Sequence, residues 1–247
     1  NAYGLHAEYK TSSNSVSGLD SGGSKLAVNA AAQGQGGSAY GVNTQDEAKT
    51  SISNFDQLHI GASAQSGSAT AVRTAGNAES VIRGKDVNIE AEVLGQGGGA
   101  YGVNSQDRGK TTVENFEQIH ISAEAQNGDA MALRASGSAE NLIKGKDVTI
   151  GAKSASGLNT EGVRSEEYGH NSIEATGDVR VTVAQGQAGD SYISGAQAIG
   201  VYTRAAGETA ISGKNVTIDV TGNAAVATGV YANNTSAGAT RITAEEN

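Results

Sequence analysis

The side chains best suited by type to do chemistry are four histidines, His6, His59, His120 and His170, and the stretch Asp20-Ser21-Gly22-Gly23. The stretch resembles the surroundings of a serine-protease nucleophile. A triad needs a base and an orienting acid within hydrogen-bond reach, held by a scaffold. Only His6 precedes Ser21, and no separate protease domain has room in the chain, so nucleophilic catalysis is not expected. The calcium-binding nonapeptide GGxGxDxUx is also missing, because GQGG at Gly34 and at Gly95 lacks the aspartate at the required offset. The carboxylates Asp46, Asp107, Glu161, Glu166 and Glu167 read as scattered through turns. Glycan-cleaving enzymes need two carboxylates flanking one bond, and no such pair stands beside a base and an aromatic platform.

What would position these residues is a repeat. The segment Gly34 to Leu94 is said again from Gly95 to Ala155, with over half the positions identical. Within it the motif AYGV (Ala39 to Val42) returns as ATAV, AYGV, AMAL, EGV, IGV and TGV, and a first copy, AYGL, opens the chain. The aliphatic anchors are Leu5, Val42, Val72, Val103, Leu133, Val163, Val201 and Val230, most of them about thirty residues apart. Each unit carries three short strand signals, the cleanest being Leu58-His59-Ile60-Gly61-Ala62 and its relatives, where apolar and polar residues alternate. Glycines interrupt every helical period. The expected fold is therefore all-β, a parallel β-helix of about seven coils with three short strands each. The interior is expected to hold stacked Val, Ile, Leu and Ala.

Stacking turns sequence columns into surface ladders. His59 and His120 fall in one outward column two coils apart, about 9.6 Å at the strand spacing, with Asn88 between them. One metal ion with bonds of about 2 Å cannot bridge them, so no metal and no cofactor is expected. The residue after each anchor gives the column His6, Asn43, Arg73, Asn104, Arg134, Arg164, Tyr202, Tyr231. Arginine and tyrosine are enriched at recognition hot spots, so Arg73, Arg134, Arg164, Tyr202 and Tyr231 are candidates for a contact ridge. The plainer reading is a solvated face whose arginines answer nearby acids. Gly41, Gly102, Gly162, Gly200 and Gly229, with Ala71 and Ala132, form a column that calls for a small residue. Lys85, Lys146 and Lys214 recur in one turn and are read as turn chemistry and edge protection.

Two anchor steps are long, which predicts loop insertions near residues 11–23 and 185–195 and makes Asp190 and Tyr192 a candidate binding loop. The net charge of -9 disfavours nucleic acid as a partner. No apolar run reaches membrane-span length, and the absence of cysteine excludes a disulfide framework and thiolate metal sites. The ends at Asn1 and Asn247 fall within repeats, so residues 1–247 are expected to be one β-helix segment excised from a longer chain.

The recurrent A-x-G-V element and the I-x-G-K-D-V-x-I element, at Ile82 to Ile89 and Ile143 to Ile150 and with Asn for Asp at Ile211 to Ile218, make the chain similar to the passenger region of a Gram-negative autotransporter. The resemblance covers nearly the whole chain through structural motifs. It implies a right-handed helix, export through an outer-membrane barrel lying outside this segment, and display at the bacterial cell surface. The expected function is a non-enzymatic adhesin segment, its partner a host cell-surface protein or glycan, or another copy of itself. A stalk without a ligand of its own and, less favoured, a polysaccharide-active enzyme are the alternatives.

Overall fold

The computed structural model describes residues 1–18, 23–186, 193–222, 224–234 and 237–245. Among them the chain is all strand and turn, wound as a right-handed parallel β-helix. The first coil contains β1 (Ala2–Ala7), β2 (Ser13–Ser17) and β3 (Lys25–Ala32). The second is β4 (Ala39–Thr44) and β5 (Lys49–Ala64), the third β6 (Ala69–Thr74) and β7 (Glu79–Val93), the fourth β8 (Ala100–Ser105) and β9 (Lys110–Ala125). The fifth is β10 (Ala130–Ala135), β11 (Glu140–Gly145) and β12 (Asp147–Ser154); the sixth is β13 (Asn159–Ser165), β14 (His170–Ala175) and β15 (Asp178–Gln185). The seventh is β16 (Ile193–Arg204), β17 (Glu208–Gly213) and β18 (Asn215–Gly222), and β19 (Ala224–Asn233) with β20 (Ala239–Ala244) starts another. Three separate strands per coil hold in the first coil and again from the fifth. In β5, β7 and β9 the second and third strands run on as one, bending where the register shifts near Phe55 and Gly84.

The eight strands that begin each coil form one sheet, here the first wall, in the order β1-β4-β6-β8-β10-β13-β16-β19. The anchors lie one over another in it: Leu5 on Val42, Val42 on Val72, Val72 on Val103, and so on to Val201 on Val230. The other strands form the second and third walls, whose inward columns are Ile52, Ile82, Val113, Ile143, Ile173, Ile211 and Val28, Ile60, Ile89, Ile121, Ile150, Val181. From Val42 to Val201 these aliphatics are essentially buried. Each contributes roughly 1.5–3 kcal/mol of burial, shared with the coil on either side.

The interior is less uniformly apolar than expected. A seam of buried polar side chains follows the corner between the first and second walls. Thr111 Oγ1 donates to Thr74 Oγ1 at 2.8 Å, Thr74 to Ser80 at 2.8 Å, Ser80 to Thr44 at 3.0 Å, and Thr44 to Thr50 at 2.8 Å. Ser105 Oγ lies 2.7 Å from Thr111 Oγ1 and donates to Asn141 Oδ1 at 2.6 Å, and Asn141 donates to Asn171 Oδ1 at 2.8 Å. In the Asn141 coil the first-wall partner is Ala135, which has no hydroxyl; the longer amide spans that gap and also donates to the Arg134 carbonyl at 2.9 Å. From Asn171 the seam passes through Ser165, Thr209 and Thr203 to Thr240. Every link is between neighbours in space, which removes the cost of burying a lone hydroxyl.

The small-residue column has a steric cause. A Cβ on Gly102 would lie 2.5 Å from the Ala132 carbonyl oxygen and 2.7 Å from Ile121 Cγ2. In Gly41 the same clashes are with Ala71 O at 2.7 Å and Ile60 Cγ2 at 2.9 Å, so this residue and Val42 both face inward and the strand turns a corner there. The following turn takes a left-handed residue in each of the first seven coils: Tyr9, Asp46, Gly76, Asp107, Gly137, Glu167 and Ala205 have φ between 58° and 75°.

Of the stretch expected to be an insertion near residues 11–23, Ser13–Ser17 is β2 and pairs with β5 in register, so the departure from the coil is shorter than expected. Near 185–195, Gln185 belongs to β15, where it is buried, accepts from Thr160 and donates to Gly157 O at 2.7 Å. Asp190 and Tyr192 lie outside the described residues, as do Asp20, Ser21 and Gly22.

Two substitutions check this core by thermal denaturation followed by circular dichroism. Gly102→Val should cost about 1–3 kcal/mol through overpacking at the corner. Thr74→Val keeps the shape but breaks two links of the seam, and should cost about 1–2 kcal/mol.

Candidate functional site

The column after the anchors is continuous in the structure, with His6, Asn43, Arg73, Asn104, Arg134, Arg164, Tyr202 and Tyr231 each registered on the next. It points outward from the first wall, but its members turn along the wall instead of standing from it. Arg73 donates to Asn43 Oδ1 at 3.3 Å and to Gln106 Oε1 at 3.2 Å, and its guanidinium lies 5.9 Å from the Tyr40 ring centroid. Arg134 donates to Asn104 Oδ1 at 3.4 Å and to Glu166 Oε2 at 3.0 Å. Asn43 and Asn104 are buried beneath these contacts.

The densest part of the ladder surrounds Arg164. Its Nη1 donates to both oxygens of Glu161, at 2.7 and 2.9 Å, and its Nη2 to Glu166. Glu166 thus sits between two arginines that are stacked neighbours and would otherwise repel. The guanidinium packs 4.9 Å from the Tyr202 centroid, and Tyr202 stacks on Tyr231 at 5.5 Å with rings 1° from parallel. At the opposite end Tyr3 stacks on Tyr40 at 5.3 Å and meets His6 at 4.6 Å with the rings tilted by 32°. Tyr3 and Tyr231 are 44% and 40% exposed, so each end of the first wall presents an aromatic face that the middle does not.

Glu161 is 1% exposed, and burial pushes its carboxyl above the ordinary value despite the opposing pull of Arg164. For Glu166 burial also acts upward, but hydrogen bonds and charge from Arg164 and Arg134 outweigh it and the net direction is down. Burial pulls the Arg164 guanidinium down, and the bonds and charges of Glu166 and Glu161 together override that and hold it charged. The chemistry of the cluster is ion pairing at a semi-buried surface. Sequence reasoning had scattered Glu161 and Glu166 through turns; the structure corrects that, because one guanidinium gathers them.

His59, Asn88 and His120 do form one column, and Asn88 Nδ2 lies 3.3 Å from His59 Nδ1. They line a shallow groove of about 550 Å³ with Lys25, Gln57 and Asp86 on the third wall. Among the described residues no three metal-ligating side chains converge. Lys85 in the recurrent turn pairs with Glu117 at 3.1 Å. Sequence reading missed the charge pairing on the second wall, where Lys49 meets Glu79 and Lys110 meets Glu140, both at 2.9 Å. The signal was present as sign reversal at a spacing of about thirty residues.

No family model matches the chain, and neither the curated proteins nor the solved structures compared with it contain a match.

The depressed carboxyl of Glu166 gives a pH test. Its stabilising effect is present above the ordinary carboxylate value of 4.5 and is lost as the pH falls through the lower folded value. Glu166→Gln should therefore destabilise by about 2 kcal/mol at neutral pH. The gap to the parent should narrow as the pH falls below the ordinary carboxylate value, as read from melting temperatures across the pH range.

Proposed function

We propose that this chain is a rigid, surface-displayed spacer, a β-helical stalk of the kind that autotransporter passengers use to hold a distal part away from the bacterial outer membrane. The observation that carries the reading is the continuous registration of the column from His6 to Tyr231 along the first wall together with the fate of its arginines. Arg73, Arg134 and Arg164 spend their donors on Asn43, Gln106, Asn104, Glu161 and Glu166. A ridge so engaged stiffens its own wall and directs much of its hydrogen bonding along the wall instead of toward a ligand. Eight first-wall strands at about 4.8 Å give a body roughly 34 Å long, and length adds linearly with coils.

A second reading, an adhesin segment that attaches to host surfaces or to its own copies, is supported by the stacked tyrosines at the ends of the first wall. Exposed aromatic faces beside arginine are favourable contact material, and many weak contacts on a displayed rod would sum by avidity.

Bead aggregation with the chain coupled to the surface, run beside a glycan array, separates the two. The stalk reading expects neither aggregation nor glycan capture. Aggregation or capture that Tyr202→Ala with Tyr231→Ala abolishes, with circular dichroism unchanged, would replace it with the adhesin reading.

A further inference from the structure

Identical coils stacked in register would set every charged side chain over its own copy at about 4.8 Å, and like charges directly opposite destabilise a sheet. The sequence is duplicated in blocks of two coils, and three outward columns alternate in sign from their first charged member onward. The first, on the second wall, reads Lys49, Glu79, Lys110, Glu140, His170, Glu208. The second, four residues along the same strands, reads Arg83, Glu114, Lys144, Glu174. A third, at the next corner, reads Asp56, Lys85, Glu117, Lys146, each preceding a registered residue of the third wall. Direct pairs close at 2.9 Å (Lys49 with Glu79, Lys110 with Glu140), 2.7 Å (Arg83 with Glu114) and 3.1 Å (Lys85 with Glu117).

Within a coil the first two columns carry opposite charge, as in Glu79 with Arg83, Lys110 with Glu114 and Glu140 with Lys144. Other columns keep step. Asn43, Arg73, Asn104 and Arg134 alternate, and Arg73 and Arg134 each donate to the asparagine one coil before. Gly41, Ala71, Gly102 and Ala132 alternate as well. Where the rule lapses, a counter-charge is at hand: Glu166 bonds both Arg134 and Arg164, and Lys153 lies 2.6 Å from Glu124, which stacks on Glu92.

We propose that these columns are a parity code: coils come in two kinds, each accepting only the other as a neighbour, so that the rod can be lengthened or shortened only in two-coil steps. The aliphatic columns cannot supply this rule, because every coil offers the same kind of residue and would accept a one-coil shift. A single exposed ion pair is worth little. A parity error, however, places like on like in several columns at once. The proposal does not depend on what the rod is for.

The first test keeps the full chain. Glu79→Lys with Glu140→Lys makes the first column four lysines deep, while Glu79→Gln with Glu140→Gln only neutralises it. At low salt the lysine variant should melt about 5 °C or more below the parent, with most of the loss recovered in about 1 M salt. The glutamine variant should stay within about 2 °C of the parent. Equal melting of the two variants, or a loss that salt does not reduce, overturns the proposal.

The second test changes coil number. Removing residues 49–109 joins Ala48 to Lys110 and preserves every alternation. Removing residues 79–109 joins Ala78 to Lys110 and sets Lys49 on Lys110, Asp56 on Glu117 and Arg73 on Arg134. The two-coil deletion should melt above the one-coil deletion although it loses more of the core, and the gap should narrow in salt. A one-coil deletion as stable as the two-coil deletion overturns the code.

Discussion

Parallel strands stacked in register impose one constraint on this molecule: each side chain lies directly over its counterpart about thirty residues away, at the sheet spacing of about 4.8 Å. For an aliphatic residue that is a benefit. Val72 on Val103 and Ile60 on Ile89 each bury surface on both sides without needing any particular partner. For a hydroxyl in the interior it is tolerable only if the neighbour can bond it, hence the seam from Thr50 to Thr240. For a charge it is harmful unless the neighbour is opposite or neutral, and the second wall is arranged accordingly.

Much of this could be read in advance because stacking converts a sequence offset into a spatial contact with little room for error. The anchors and the whole column from His6 to Tyr231 fall where spacing put them. What escaped the sequence was side-chain direction and fate. Thr44 and Thr74 follow the alternation and point inward, but composition had argued for an aliphatic interior and gave no reason to expect a continuous polar thread. The arginines point outward as expected and then fold along the wall, an outcome decided by guanidinium geometry and by Glu161 and Glu166. The bend in β5 near Phe55, which fuses two expected strands into one, depends on a shift in pairing that single-sequence periodicity does not contain.

The same constraint bears on how much surface is left to recognise something else. Along the first wall the central arginines bond neighbouring amides and carboxylates, with Arg164 Nε left buried and unpaired, and on the second wall exposed cations and carboxylates are paired across coils. Exposed aromatic surface lies at the two ends of the first wall, on Tyr3 and Tyr231, and in the turns at Tyr9 and Tyr168. A body built this way transmits shape and stiffness along its axis more readily than it forms a single deep pocket.

The interior seam has a further property. A hydroxyl owns one proton, so each bond from Thr111 through Thr74, Ser80 and Thr44 to Thr50 uses the donor of one residue and a lone pair of the next. The donors run toward the amino-terminal coil, and turning one around obliges those beyond it to turn as well. From Ser105 through Asn141 to Asn171 the donors run the other way, so this part of the thread is two rows of coupled dipoles that diverge between Thr111 and Ser105, and the proton arrangement of each belongs to its row, not to any one residue.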